Sequence, residues 1–145
     1  MKFLFSLIFM ALFANSAFAC RCSEPGAQHA YANADVVALV RIKTVDVLPE
    51  GLFRAHAEVD RTWKSSLTKT VDIDTSSLDN CEYRLQEGKG FLLYLKFDDQ
   101  GKLNTYRCWG NLQKSNAGER LKWLKRHGKA RRRSLDSSQE SRTDF

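Results

Sequence analysis

The chain has 145 residues, 43% hydrophobic and 28% charged, with a formal net charge of +6. That length suits one domain and excludes two of ordinary size. The charge is uneven: from Lys125 to Phe145 seven Lys or Arg stand against three Asp or Glu, so the body of the chain is close to neutral and is no nucleic-acid surface.

The first 19 residues read as an export signal. Lys2 gives a positive start, "FLFSLIFMALFA" an apolar run of about a dozen residues, and Ala17-Phe18-Ala19 a small-x-small cleavage site. Cleavage after Ala19 makes Cys20 the new N-terminus and leaves 126 residues carrying 22 Lys and Arg against 17 Asp and Glu. The expected location is secreted or periplasmic. A lipoprotein signal also ends before a Cys, and is the alternative that Ala17 and Phe18 fit less well. No later stretch is long and apolar enough for a spanning helix.

The four cysteines, Cys20, Cys22, Cys81 and Cys108, all fall after the signal. An even number in an exported chain predicts two disulfides. A bond between Cys20 and Cys22 strains the required geometry, so two pairings stay open. Either one anchors the N-terminal segment at two distant points, each bridge stabilising by about 4 kcal/mol in the loop-closure model. No third thiol or nearby His completes a metal or redox site around the Cys-x-Cys pair.

Ala27 to Ala34, rich in alanine around Tyr31, predicts a short helix. Asp35 to Val47 is β-branched, continuous at first and then alternating, and predicts a strand buried on one or both faces. "LPEG" turns it back into a strand from Phe53 to Arg61, paired antiparallel with the first. Val71 to Asp74 predicts a third strand and Phe91 to Phe97 a central fourth. "DDQGK" makes a hairpin turn into a fifth, "LNTYRC". Ser115 or Asn116 is placed to cap a final helix, with Glu119 completing a capping box on Asn116. In that helix Leu121 and Leu124 share a face with Ala117, and Gly128 stops it. The expected fold is mainly β: a five-stranded, OB-fold-like closed barrel over residues 20–128 with a short helix before it and a helix after it. Residues 129–145, polar and holding the run Arg131-Arg132-Arg133, predict a disordered basic tail, either simply solvated or touching anionic surfaces.

The sequence carries no serine-nucleophile elbow, no His-Glu-x-x-His and no glycine-rich phosphate loop. His29, His56 and His127 have no ligand spacing, and each reads as a surface or satisfied histidine. Trp63 and Trp109 read as core or disulfide-packing residues. The expectation is a protein that is not an enzyme and needs no cofactor. What remains is the anchored terminus. A free α-amine has a pKa near 8, so part of it is neutral at pH 7 and can bind a metal, with the carbonyl of the same residue closing a five-membered chelate. A wedge of that kind fits the open position of another protein's catalytic zinc.

The residues from Cys20 to Ile42, "CRCSEPGAQHAYANADVVALVRI", resemble the opening of the tissue inhibitors of metalloproteinases, a netrin-like family: Cys-x-Cys at the mature terminus, Tyr31, then Asn33, Asp35, Val36 and Val37 leading into a strand. "RTWKSS", "CEYRLQEGKGFLLYL" and "GKLNTYRC" resemble later segments of the same domain, so the likeness spans most of Cys20 to Leu124. The resemblance implies a minimal, bacterial-type member, with disulfides joining Cys20 to Cys81 and Cys22 to Cys108. It implies that Cys20 chelates the zinc of a target metalloendopeptidase through its backbone amine and carbonyl. Cys20, Arg21, Cys22 and Ser23 would then touch the protease, Arg21 entering its specificity pocket. Ala32 stands where the family has a further cysteine, Arg21 where it has a small hydroxylic residue, and the family's six-cysteine C-terminal domain is missing. The alternative function is a non-inhibitory envelope or extracellular binding module on the same barrel.

Overall fold

The structure, a computed structural model, describes residues 22–76 and 82–128. The expectations for the signal, for Cys20, Arg21 and Cys81 and for the basic tail lie outside those residues. The described residues form six strands and two helices: α1 (Ala27–Asn33), β1 (Val36–Leu48), β2 (Leu52–Lys64), β3 (Thr70–Ser76), β4 (Gly90–Phe97), β5 (Leu103–Asn104), β6 (Leu112–Gln113) and α2 (Gly118–His127).

The strands make one sheet in the order β1-β2-β3-β5-β4-β6, and β1 also pairs with β4, so five of them run in a ring. β1 and β2, 13 residues each, form an antiparallel hairpin turned by Pro49–Gly51. The first half of β1 pairs antiparallel with β4 as well, Val36 opposite Leu95 through Arg41 opposite Gly90. β3 is antiparallel to β2 and parallel to β5, which returns antiparallel to β4 through the Asp98–Lys102 turn. Asp98 holds that turn by accepting from the Gln100 and Lys102 amides.

Because β1 is paired on both edges, its opening residues have no edge to leave exposed, and alternation sorts them between two cores. Val36, Ala38, Val40 and Ile42 face inward with Ala55, Ala57, Val59, Ile73, Phe91, Leu93, Leu95 and Leu103. Val37 faces outward, and with Leu92, Tyr94 and Trp63 it forms a second layer beneath Ala30 and Ala34 of α1 and Leu124 of α2. This double burial is why the sequence is continuously apolar before it alternates. Beyond Arg41 the β4 side of β1 is taken by a turn: Ile42 N–H donates to the Lys89 carbonyl, Gly88 N–H to the Ile42 carbonyl, and Val45 N–H to Glu87 Oε1 at 2.8 Å.

The two helices complete the outer layer. Lys64 donates to the Tyr31 and Ala32 carbonyls at the end of α1, satisfying acceptors that a helix C-terminus leaves open. The Tyr31 hydroxyl donates to the Trp63 carbonyl, and its ring meets Trp123 of α2 at 5.8 Å. Ala117 and Leu124 are fully buried and Leu121 packs beside them, the shared face that the sequence predicts. At Gly128 a Cβ would stand 2.7 Å from the Leu124 carbonyl and 2.8 Å from the Trp63 ring, so the chain can leave α2 there only without a side chain.

Three expectations need correction. The fifth strand covers only Leu103 and Asn104, not "LNTYRC"; Arg107–Trp109 is a 3-10 turn. Side chains take over the β4 edge where the strand stops. Thr105 Oγ1 donates to the Tyr94 carbonyl, Asn111 Oδ1 accepts from the Tyr94 amide, and Asn111 Nδ2 donates to Thr105 Oγ1 and the Tyr106 carbonyl. A sixth strand, β6, joins the five expected ones, its two residues paired with Phe91 and Leu92. Finally, the capping box on Asn116 does not form. Lys114–Asn116 is itself a 3-10 turn, α2 is entered at Ala117 without a side-chain cap, and Glu119 pairs instead with Lys122 at 2.8 Å.

Asn111→Ala leaves the Tyr94 amide and the Thr105 pair without their partner in a buried site. Urea unfolding should show a loss of about 2–4 kcal/mol, and a loss below about 0.5 kcal/mol would show that the strand edge does not depend on this side chain.

Candidate functional site

The segment Cys22–Gly26 belongs to no helix or strand, yet it is held at both ends. Cys22 is bridged to Cys108 in the turn after β5, with 5.1 Å between Cα atoms and 86 residues between them in sequence. Three residues on, the Pro25 carbonyl accepts from Arg120 Nη2 on α2. Gly110 lets these parts approach. It adopts φ +91°, and a Cβ there would lie 3.1 Å from the Ala30 Cβ and 3.2 Å from the Pro25 ring. Between the two holds, Ser23 and Glu24 are exposed, whereas Cys22 is half-buried.

Of the residues expected to touch a protease, the structure thus places Cys22 and Ser23 together on this tethered segment. The predicted Cys22–Cys108 disulfide is present. Trp63 is buried in the outer layer, and Trp109, next to Cys108 in the chain, meets the Tyr106 ring at 5.3 Å in a tilted arrangement.

A cleft of about 520 Å³ opens beside the bridge, lined by residues that include Cys22, His29, Tyr94, Lys96, Cys108 and Trp109. The Lys96 ammonium stands 5.0 Å from the centre of the Trp109 ring. Tyr94 is fully buried, with the Arg120 guanidinium carbon 5.9 Å from its ring centre and Arg120 as the hydrogen-bonding partner of its hydroxyl. Burial pushes the Tyr94 phenol up, with Arg120 pulling the other way.

A second polar cluster lies on the solvent face of the β1–β2–β3 strands. His56 Nδ1 meets Asp72 Oδ1 at 2.6 Å and His56 Nε2 meets Asp46 Oδ2 at 2.9 Å, so one ring ties β2 to both neighbours. Arg54 is bidentate on Asp74, at 2.7 and 2.8 Å, and Lys43 pairs with Glu58 at 2.9 Å. The hydrogen bonds to Asp46 and Asp72 raise the His56 pKa above its ordinary value of 6.5. With both nitrogens on carboxylates the protonated ring is the favoured form, which makes it a poor general base. Among the described residues no group of three or more His, Cys, Asp and Glu is arranged to hold a metal ion, and no helix is long and apolar enough to cross a membrane.

The tether is legible in the sequence, whereas Tyr94, Lys96, Arg120 and the histidine clip are not among the expected site residues. Tyr94 and Lys96 fall in a continuous apolar strand whose outward face is itself covered, so no alternation marks them. The clip was within reach. Asp46, His56 and Asp72 all fall on predicted strands, and the antiparallel register sets His56 opposite Asp72. No family model matches this chain, and no curated protein is significantly similar to it.

Folding raises the His56 pKa, so the clip contributes stability fully below about pH 6.5, the ordinary histidine value, and loses it as pH rises through the folded-state value. Melting temperature should therefore decline over that window in the native chain, and the decline should vanish in His56→Gln. An NMR titration of the imidazole should give a lower pKa in the Asp46→Asn and Asp72→Asn variants. An unchanged value in both would dismiss the clip.

Proposed function

We propose that this chain is an exported inhibitor-type module that offers its N-terminus to the catalytic zinc of a metalloendopeptidase, and that its five-strand ring is an OB-fold-like barrel. The observation that carries the reading is the Cys22–Cys108 bridge. It fixes the residue two places after Cys20, and Arg120 fixes Pro25 just beyond, so a terminus beginning at Cys20 meets its target already ordered.

On this reading, signal cleavage after Ala19 frees the Cys20 amine. The amine and the Cys20 carbonyl take the open coordination position of the zinc, Arg21 enters the adjoining pocket, and Cys22 and Ser23 lie along the protease. A long cation at Arg21 suits an open or acidic pocket and fits a deep apolar one badly. With Cys22 joined to Cys108, the second bridge of the proposal is Cys20–Cys81. Non-reducing peptide mapping should recover that link. A peptide joining either cysteine to another partner overturns it.

The functional test compares the mature protein with a form carrying one extra alanine before Cys20, against a panel of zinc endopeptidases. The extension turns the amine into an amide that cannot coordinate, so inhibition should fall by about a hundredfold or more while the melting temperature stays unchanged. Arg21→Thr should shift potency towards proteases with apolar pockets. Equal inhibition by native and extended forms would rule out chelation, and no inhibition by either would favour a binding module that never meets zinc.

A further inference from the structure

The cleft beside the Cys22–Cys108 bridge has chemistry that a zinc-directed terminus does not use. One wall is the Trp109 ring, and the polar side chains lining it include His29, Tyr94 and Lys96, with no carboxylate among the lining residues. Lys96 faces the ring of Trp109 and makes no ion pair among the described residues.

Lys96 therefore offers hydrogens on a full positive charge next to a flat apolar surface. An acceptor with an apolar body satisfies both. A carboxylate suits a single ammonium better than a phosphate does, because a doubly charged phosphate loses more hydration on entry than one lysine returns. The volume, about 520 Å³, is that of a small-molecule site. We propose that this cleft binds a small organic carboxylate, its body against Trp109 and its oxygens on the Lys96 ammonium. The site is independent of zinc inhibition and stands or falls separately from it.

The test titrates the full exported chain with phenylacetate, followed by NMR shifts of the Trp109 indole and of the α1 amides. Saturable binding with shifts confined to the cleft is expected. Benzylamine, similar in size but opposite in charge, should not saturate, and inorganic phosphate should bind more weakly than phenylacetate. Lys96→Met should weaken phenylacetate by on the order of tenfold. The proposal is overturned if phenylacetate does not saturate, if benzylamine or phosphate binds as well, or if Lys96→Met binds like the native chain.

Discussion

Everything in this molecule rests on β1 being paired along both edges. From Val37 to Arg41 the strand has β2 on one side and β4 on the other, which bends the sheet round on itself. A strand so placed has no edge to offer solvent, and from Val36 to Ala38 neither face is exposed. Its even-numbered residues from Val36 to Ile42 fill the interior of the ring, and Val37 looks out into a layer roofed by two helices. The roof exists because the ring does: α1 and α2 have an apolar surface to lie on only where β1 and β4 present Val37, Leu92 and Tyr94 side by side.

The outer layer, more than the interior, carries the features that suggest a role. Cys108 and Trp109 stand on the turn that follows β5, Arg120 on α2, and Cys22 on the segment that leads into α1. Three pieces remote in sequence meet there because each is bound to β4 or to the layer over it. Asn111 and Thr105 matter for the same reason. Their side chains continue the strand edge opposite Tyr94 and so let the backbone turn away to present Cys108. A short strand finished by side chains can release its chain sideways, as a longer one could not.

Sequence made the long elements legible and the short ones not. β1 to β4 carry enough alternation or β-branching to declare themselves, and α1 shows in its alanines. β5 ends early because Thr105 and Asn111 replace ladder bonds, a tertiary effect that local pattern does not encode. Asn116 fits a capping box by spacing, but the 3-10 turn it sits in shifts the helix start by one residue and leaves Ala117 there instead. The tether was visible in the Cys-x-Cys pair, whereas its partner at Cys108 was one of two possibilities until the bridge was seen. The cleft was illegible because its donors sit on the outward face of β4, where a roof of helices makes polar and apolar positions look alike.

The turn that carries Glu87 has a consequence for how this protein keeps company with copies of itself. Past Arg41, β1 runs on for seven residues without β4. A bare run of amides there would template the addition of a foreign strand, the usual opening step of sheet-to-sheet self-association. Two of those amides are already spoken for: Ile42 N–H by the Lys89 carbonyl and Val45 N–H by the Glu87 carboxylate. The carboxylate also places a negative charge where an incoming backbone would have to lie. Exposed Val47 nearby is thereby kept a harmless apolar spot on a blunted edge, and the long hairpin can project from the ring without becoming the seed of a fibre.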